Sequence, residues 1–181
     1  MVMTTYALQL LDDPVTRYTV HADEQRIGEI RCQAMHACVL HLGEQRFWLL
    51  QDEVASATAA GGSLLSRFVN KLRLNRGYTL RDEREPLARA RRHWNPLRKR
   101  DWIDFDPLTS PPLRATPRGM LDSNIDLTRD GAAAGAMRVV GLMQDRVTLA
   151  CAGFDPVQAA FLMYVVHHCW GNDPHVKMAL P

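Results

Sequence analysis

Near its C-terminal end the chain carries Val157-Gln158-Ala159-Ala160-Phe161-Leu162-Met163-Tyr164-Val165-Val166-His167-His168-Cys169-Trp170, a run whose apolar side chains would fall on every side of a helix. A helix that is apolar all round has to be surrounded. Its ends are well marked: Asp155 suits an N-cap, Pro156 the first helical position, Gln158 a capping-box partner for Asp155, and Gly171 a C-terminal stop. At about 15 residues it is shorter than the ~20 needed to span a bilayer, so a transmembrane segment is not expected and the surroundings must be protein. Burial of Val157, Phe161, Leu162, Met163, Val165 and Val166 contributes on the order of 9 to 18 kcal/mol as an upper bound, comparable to the net stability of a whole domain. The helix is therefore expected to be the core, and the rest of the chain to wrap it.

What precedes it is punctuated like a β protein. Tyr18-Thr19-Val20-His21 turns at Asp23 to Gln25 into Ile27 to Cys32; Tyr78-Thr79-Leu80-Arg81 turns at Asp82 to Glu85 into Leu87 to Arg91. Ile125 to Thr128 turns at Arg129-Asp130-Gly131 into Ala134 to Val139, and a degenerate copy runs from Phe47 to Leu50 into Val54. Alternation with a period of two puts one apolar face of each hairpin toward a core, and Asp-Gly is a strong turn signal. Trp102-Ile103-Asp104-Phe105 reads as a further strand, with Asp104 and Asp106 on its solvent side.

Two segments stand apart. After Gly61-Gly62, with Ser63 suited to an N-cap, the residues Leu64, Leu65, Phe68, Val69 and Leu72 fall within one arc of about 140°, opposite Arg67, Lys71 and Arg73, which marks a short basic amphipathic helix. Packing on the sheet and lying at an anionic membrane interface are both open to such a helix. Pro107 to Pro117 reads as a long connection within one domain. The expected organisation is a single domain over 1–181, a barrel about 6–170 with a tail at 171–181.

The N-terminus, Met1 to Leu8, lacks a basic leader and meets Asp12-Asp13-Pro14 before any long apolar run, so no signal or transit peptide is read. Cys32, Cys38, Cys151 and Cys169, without a Cys-x-x-Cys pair, read as reduced thiols with no structural disulfide, which points to a cytoplasmic protein.

Net charge is +2, but its distribution is uneven. From Arg67 to Arg100 there are twelve Lys and Arg against three acids, a block of +9; the chain totals of 22 and 20 leave ten basic and seventeen acidic residues elsewhere, or −7. Within the block, Arg89, Arg91 and Arg92 on a strand and Arg98, Lys99 and Arg100 at its turn are the candidate ligands of an anionic partner; a plain solvated face is the alternative.

Short hairpins around one fully apolar C-terminal helix resemble the tubby C-terminal superfamily, which includes the LURP-one-related proteins and the phospholipid scramblases. The resemblance rests on the Tyr-x-hydrophobic openings at Tyr18 and Tyr78, the return strand Ile27-Gly28-Glu29-Ile30, the basic run Leu87 to Arg92 leading to Trp102 to Phe105, and the closing helix from Asp155 to Trp170. It covers the chain from about Tyr6 to Trp170 and no single motif in it is diagnostic. It implies a mainly β protein: a closed antiparallel β-barrel threaded lengthwise by the hydrophobic C-terminal helix. It also implies a basic patch that grips phospholipid headgroups at a membrane surface, placing the protein in the cytoplasm or peripherally at the inner face of the membrane. Nothing resembles the scramblases' cysteine-rich palmitoylation segment or calcium-binding stretch, which argues against lipid scrambling.

Gly-x-Ser-x-Gly, Walker, His-Glu-x-x-His and EF-hand patterns do not occur. In an extended strand Cys32, His36 and Cys38 share one face, but His41 has the other parity, which leaves a metal site short of ligands. His167 and His168 point about 100° apart on a helix and cannot chelate together; compensation of the helix dipole is their expected role. No catalytic residue, metal or cofactor is expected. The reading is a non-enzymatic binding module docking on anionic phospholipid or another phosphate-bearing partner. Nucleic-acid binding, with Trp94 beside Arg91, Arg92 and Arg98, and a small-ligand carrier or enzyme are the alternatives. The carrier suffers because the helix would fill the barrel where a pocket usually sits.

Overall fold

The computed structural model describes residues 4–11, 16–34, 37–52, 76–95, 100–118, 123–140 and 145–170. Their order is β1 (Thr5–Leu11), β2 (Arg17–Ala22), β3 (Gln25–Ala34), β4 (Ala37–Leu42), β5 (Gln45–Gln51), β6 (Gly77–Arg81), β7 (Pro86–Asn95), β8 (Arg100–Asp106), β9 (Leu113–Pro117), β10 (Asn124–Arg129), β11 (Ala132–Val140), β12 (Arg146–Cys151) and the helix α1 (Pro156–Trp170). Each strand pairs antiparallel with its neighbours in sequence, and β12 pairs with β1, so the sheet closes into a twelve-stranded barrel without a free edge.

The alternation that marks the hairpins sets the register. Tyr18 faces Ile30 and Val20 faces Gly28; Tyr78 faces Ala90 and Leu80 faces Ala88; Ile125 faces Met137. Leu8, Val20, Ile30, Leu40, Leu80, Ile103 and Leu149 point inward and are fully buried. A side chain at Gly28 would have its Cβ 2.2 Å from the His41 carbonyl oxygen, so β3 and β4 can approach there only through a glycine. Asp130 and Gly131 both take positive φ, 51° and 80°, the conformation a tight hairpin turn requires.

Inside the barrel lies α1. Ala159 to Val166 are all buried, and ring contacts reach opposite parts of the wall: Phe161 to Phe105 on β8 at 6.0 Å, Tyr164 to Tyr18 on β2 at 5.8 Å. Helix and inner wall form one continuous apolar core. Asp155 caps the helix as the sequence suggests, its Oδ1 accepting the backbone N–H groups of Val157 and Gln158 at 2.9 Å each. Gln158 does not complete a capping box; its side-chain amide donates to Thr109 Oγ1 at 3.3 Å, tying the helix start to the β8–β9 connection.

Antiparallel pairing of successive strands assigns every connection to one of two rims. The rim at the start of α1 holds the turns at 23–24, 43–44, 82–85 and 130–131. The other rim holds the end of α1.

Two further expectations are corrected. The Pro107 to Pro117 segment is not all connection, because Leu113–Pro117 forms β9; Leu113 and Ala115 point into the core while Arg114 and Thr116 face out. Pro117 ends the strand, where its missing N–H costs no ladder bond. Cys32 and Cys38 are not free thiols but a disulfide, because the β3–β4 register sets them directly opposite one another. That removes the cysteine argument for a reducing compartment. Cys151 and Cys169 are free and buried. The amphipathic stretch from Ser63 to Arg73, Val54, His36 and Gly171 lie outside the described residues.

Candidate functional site

The basic run on β7 is split by the pleat. Arg89 and Arg91 share the outer parity and are exposed, whereas Arg92 has the parity of Ala88 and Ala90 and turns inward. The register sets Arg89 opposite Asp106 and Arg91 opposite Asp104 on β8. Those carboxylates are already engaged: Asp104 pairs with Arg114 Nε at 2.8 Å and His93 Nε2 at 3.1 Å, and Asp106 Oδ1 accepts the Leu108 N–H at 3.0 Å. Among the described residues no carboxylate stands within ion-pair distance of Arg89 or Arg91. Arg100 opens β8 with its backbone paired to Asn95, which puts the β7–β8 hairpin at the rim where α1 ends; Arg98 and Lys99 lie outside the described residues.

Beside Arg89 and Arg91 the outer wall carries a stacked cluster. The His93 ring lies nearly parallel to Trp102, centroids 5.1 Å apart, and the Arg114 guanidinium sits 5.5 Å from the Trp102 centroid. His93 comes from β7 and Arg114 from β9, the strands flanking β8, so the indole is engaged from both sides. Asp104 ties the three together, accepting also from Trp102 Nε1 at 3.3 Å. Desolvation first, with the charges of Arg91 and Arg114, holds the His93 imidazole below its ordinary value against the pull of Asp104.

Arg92 belongs to a different assembly, at the inner rim. Its Nε donates to Asp101 Oδ1 at 3.0 Å and its Nη2 to Oδ2, while Trp170 Nε1 at the end of α1 donates to the same Oδ2 at 2.7 Å. Burial works against the guanidinium charge, but the Asp101 hydrogen bonds and charge outweigh it. Of the six candidate ligands, Arg92 is thus turned inward and paired with Asp101. Trp94, the aromatic invoked for nucleic acid, is paired by register with Asp101 and is half-buried.

Each of the last four residues of α1 is held by the wall. Tyr18 Oη meets His167 Nδ1 at 3.4 Å, Arg76 Nη1 donates to His168 Nε2 at 3.0 Å, and Tyr78 Oη meets Cys169 Sγ at 3.5 Å. Trp170 is held by Asp101. Arg76 and Arg92 bring positive charge to the negative end of the helix dipole, a role the sequence assigned only to the histidines. Burial pushes the Cys169 thiol up, against the opposing pull of Arg92, Tyr78 and Arg76. Burial likewise drives the Tyr78 phenol far above its usual range. The chemistry of this rim is that of a lock on a helix end. Among the described residues no three His, Cys, Asp or Glu side chains converge as metal ligands, and no helix is long and apolar enough to cross a membrane. No family model, curated protein or solved structure matches the chain.

Proposed function

We propose that the protein is a non-enzymatic, tubby-like binding module that docks peripherally on an anionic phospholipid surface, the charged cytoplasmic leaflet being the partner in mind, through the outer wall of β7 and the hairpin that follows it. The observation that carries the reading is the pair Arg89 and Arg91, exposed and, among the described residues, without a carboxylate partner although the register places Asp106 and Asp104 opposite them. In the sequence they are followed by Arg98, Lys99 and Arg100, so five cations lie within twelve residues. At about 1 kcal/mol per cation near an anionic leaflet, such a set supplies on the order of 5 kcal/mol before ordering costs. The closed barrel with α1 inside is the architecture that the tubby-like resemblance implies, and an interior filled by a helix favours a surface-binding role over a carrier's cavity.

The test is co-sedimentation with anionic and with zwitterionic vesicles at low and physiological salt, comparing the wild type with a variant in which Arg89, Arg91, Arg98, Lys99 and Arg100 are all Gln. Arg92 is left intact because its loss would strip Asp101 of its counter-charge. Binding by the wild type to anionic vesicles alone, weakening with salt because the Debye length is about 8 Å at physiological ionic strength, is the expected result. Equal sedimentation of the two proteins, or preferential binding to a single-stranded homopolymer, would overturn it.

A further inference from the structure

The Cys32–Cys38 disulfide lies at the rim where α1 ends, bridging opposed positions of β3 and β4. Its two sulfurs differ in surroundings. Cys38 is buried, 2% exposed, whereas Cys32 is only half-buried. The Tyr164 hydroxyl stands 3.1 Å from Cys38 Sγ; a bonded sulfur has no hydrogen, so the tyrosine donates. Tyr164 is also a junction within the helix end. Its ring meets Tyr18 edge-on at 5.8 Å, Tyr18 in turn meets His167, and on its other contact it packs on His168 at 5.8 Å, the residue that Arg76 holds.

We propose that this disulfide is a redox-sensitive latch on the C-terminal end of α1, opened by a dithiol reductant that attacks the Cys32 sulfur and expels Cys38 as a thiolate received by the Tyr164 hydroxyl. The attacking thiolate forms a mixed disulfide with Cys32 as the Cys32–Cys38 bond breaks. The second thiol of the reductant then attacks its own bridged sulfur and releases Cys32. Two electrons pass from the dithiol to the protein, the reductant leaves as its disulfide, and the protons it gives up end on the two cysteines. Attack at Cys32 is favoured by access, and departure of Cys38 by a hydrogen bond already aimed at the sulfur on which charge develops. Once unbonded, the sulfurs must separate to ordinary contact distance. Cys38, enclosed by the core, can do so only by displacing the Tyr164 contact, and through Tyr164 the change reaches Tyr18, His167 and His168.

The experiment treats the folded wild type, Tyr164→Phe and Tyr18→Phe with dithiothreitol in the absence of denaturant, and counts cysteines alkylated after a denaturing quench. The count for the wild type should rise from two, Cys151 and Cys169, to four. Tyr164→Phe should be reduced about tenfold more slowly, the factor that one hydrogen bond to a developing charge is worth in a rate, and Tyr18→Phe at the wild-type rate. A merely structural tyrosine predicts the opposite sign, since its loss would loosen the site and speed reduction. Amide exchange of reduced and oxidised wild type supplies an arm that needs no variant: protection should drop about tenfold at residues 164–170 and stay unchanged at 157–160. A disulfide that resists dithiothreitol until the protein is denatured, a Tyr164→Phe rate equal to or above that of the wild type, or an exchange change confined to 32–38 would each overturn the latch.

Discussion

On the outer face of β7, Arg89 and Arg91 are exposed, with no carboxylate of the described residues in reach; one residue on, at the inner rim, Arg92 is nearly enclosed, with 12% of its side chain exposed, and is bonded through two nitrogens to Asp101. The three side chains are chemically identical and almost adjacent. Parity alone assigns one kind to a surface field, where each charge is worth little to the fold, and the other to a pair whose rupture leaves a charge stranded. A basic run is thus not one functional unit, and counting its charges overstates the surface by the ones that turn inward.

The contrast can be broken most severely from the inner side. Ending the chain at Phe154 removes α1 and with it the interior that the inner wall packs against; no cooperative thermal transition should remain, and Leu162→Asp should lower stability by several kcal/mol in a chemical-denaturation measurement. Next comes the buried pair. Asp101→Ala leaves Arg92 uncompensated and strips Trp170 of its acceptor, at a cost of about 3 kcal/mol, or a fall in Tm of roughly 6 to 12 °C. Arg92→Gln should cost somewhat less, since Asp101 loses its counter-charge but keeps the Trp170 N–H.

On the outer face the same substitution should do almost nothing to the fold. Arg89→Gln with Arg91→Gln should change unfolding free energy by less than about 0.5 kcal/mol, while vesicle affinity at low salt falls roughly thirtyfold, as loss of two cations at about 1 kcal/mol each implies. A large stability loss would mean that the outer arginines are structural after all. The smallest effect belongs to His93. Its folded-state value is depressed by burial and by Arg91 and Arg114, so the unfolded chain takes up the proton more readily. Stability is complete above the ordinary value near 6.5 and declines as pH falls from there toward the folded-state value. The Tm of the wild type should therefore drop slightly more between pH 7.5 and 5.5 than that of His93→Gln.

The elements legible in the sequence were those whose own pattern is complete. Tyr18 to Cys32, Tyr78 to Arg91 and Ile125 to Val139 each carry two alternating runs and a turn, and α1 carries its Asp155 cap and its all-round apolarity; the three hairpins and those two features of α1 stand as read. β9 was hidden because the flanking prolines mask an alternation of only five residues, Leu113 to Pro117. The disulfide was missed for a different reason. Spacing along the chain says nothing about pairing until a register is fixed, and only the β3–β4 register makes positions 32 and 38 direct partners. The inward turn of Arg92 was available in principle, since it shares parity with Ala88 and Ala90, and Asp101 shares parity with Ile103 and Phe105. What the sequence could not offer was Trp170 as the third member, because the end of α1 meets β8 only through closure of the barrel.

The seam of the barrel is formed by β1 and β12, which pair Thr5 with Ala150 and Gln9 with Arg146. The two strands that must meet are therefore the first and the last to be synthesised, with ten strands between them. Until residue 151 has left the ribosome, the growing sheet exposes both β1 and its most recent strand as unpaired edges, and its apolar inner face still lacks the helix that fills it. Such long-range closure makes folding slow, and the unfinished sheet offers other chains an edge to pair with. The nascent protein is accordingly most exposed to aggregation just before its last strand and helix arrive, so slowed translation over β12 and α1 should lower the yield of native protein more than the same delay placed after Trp170.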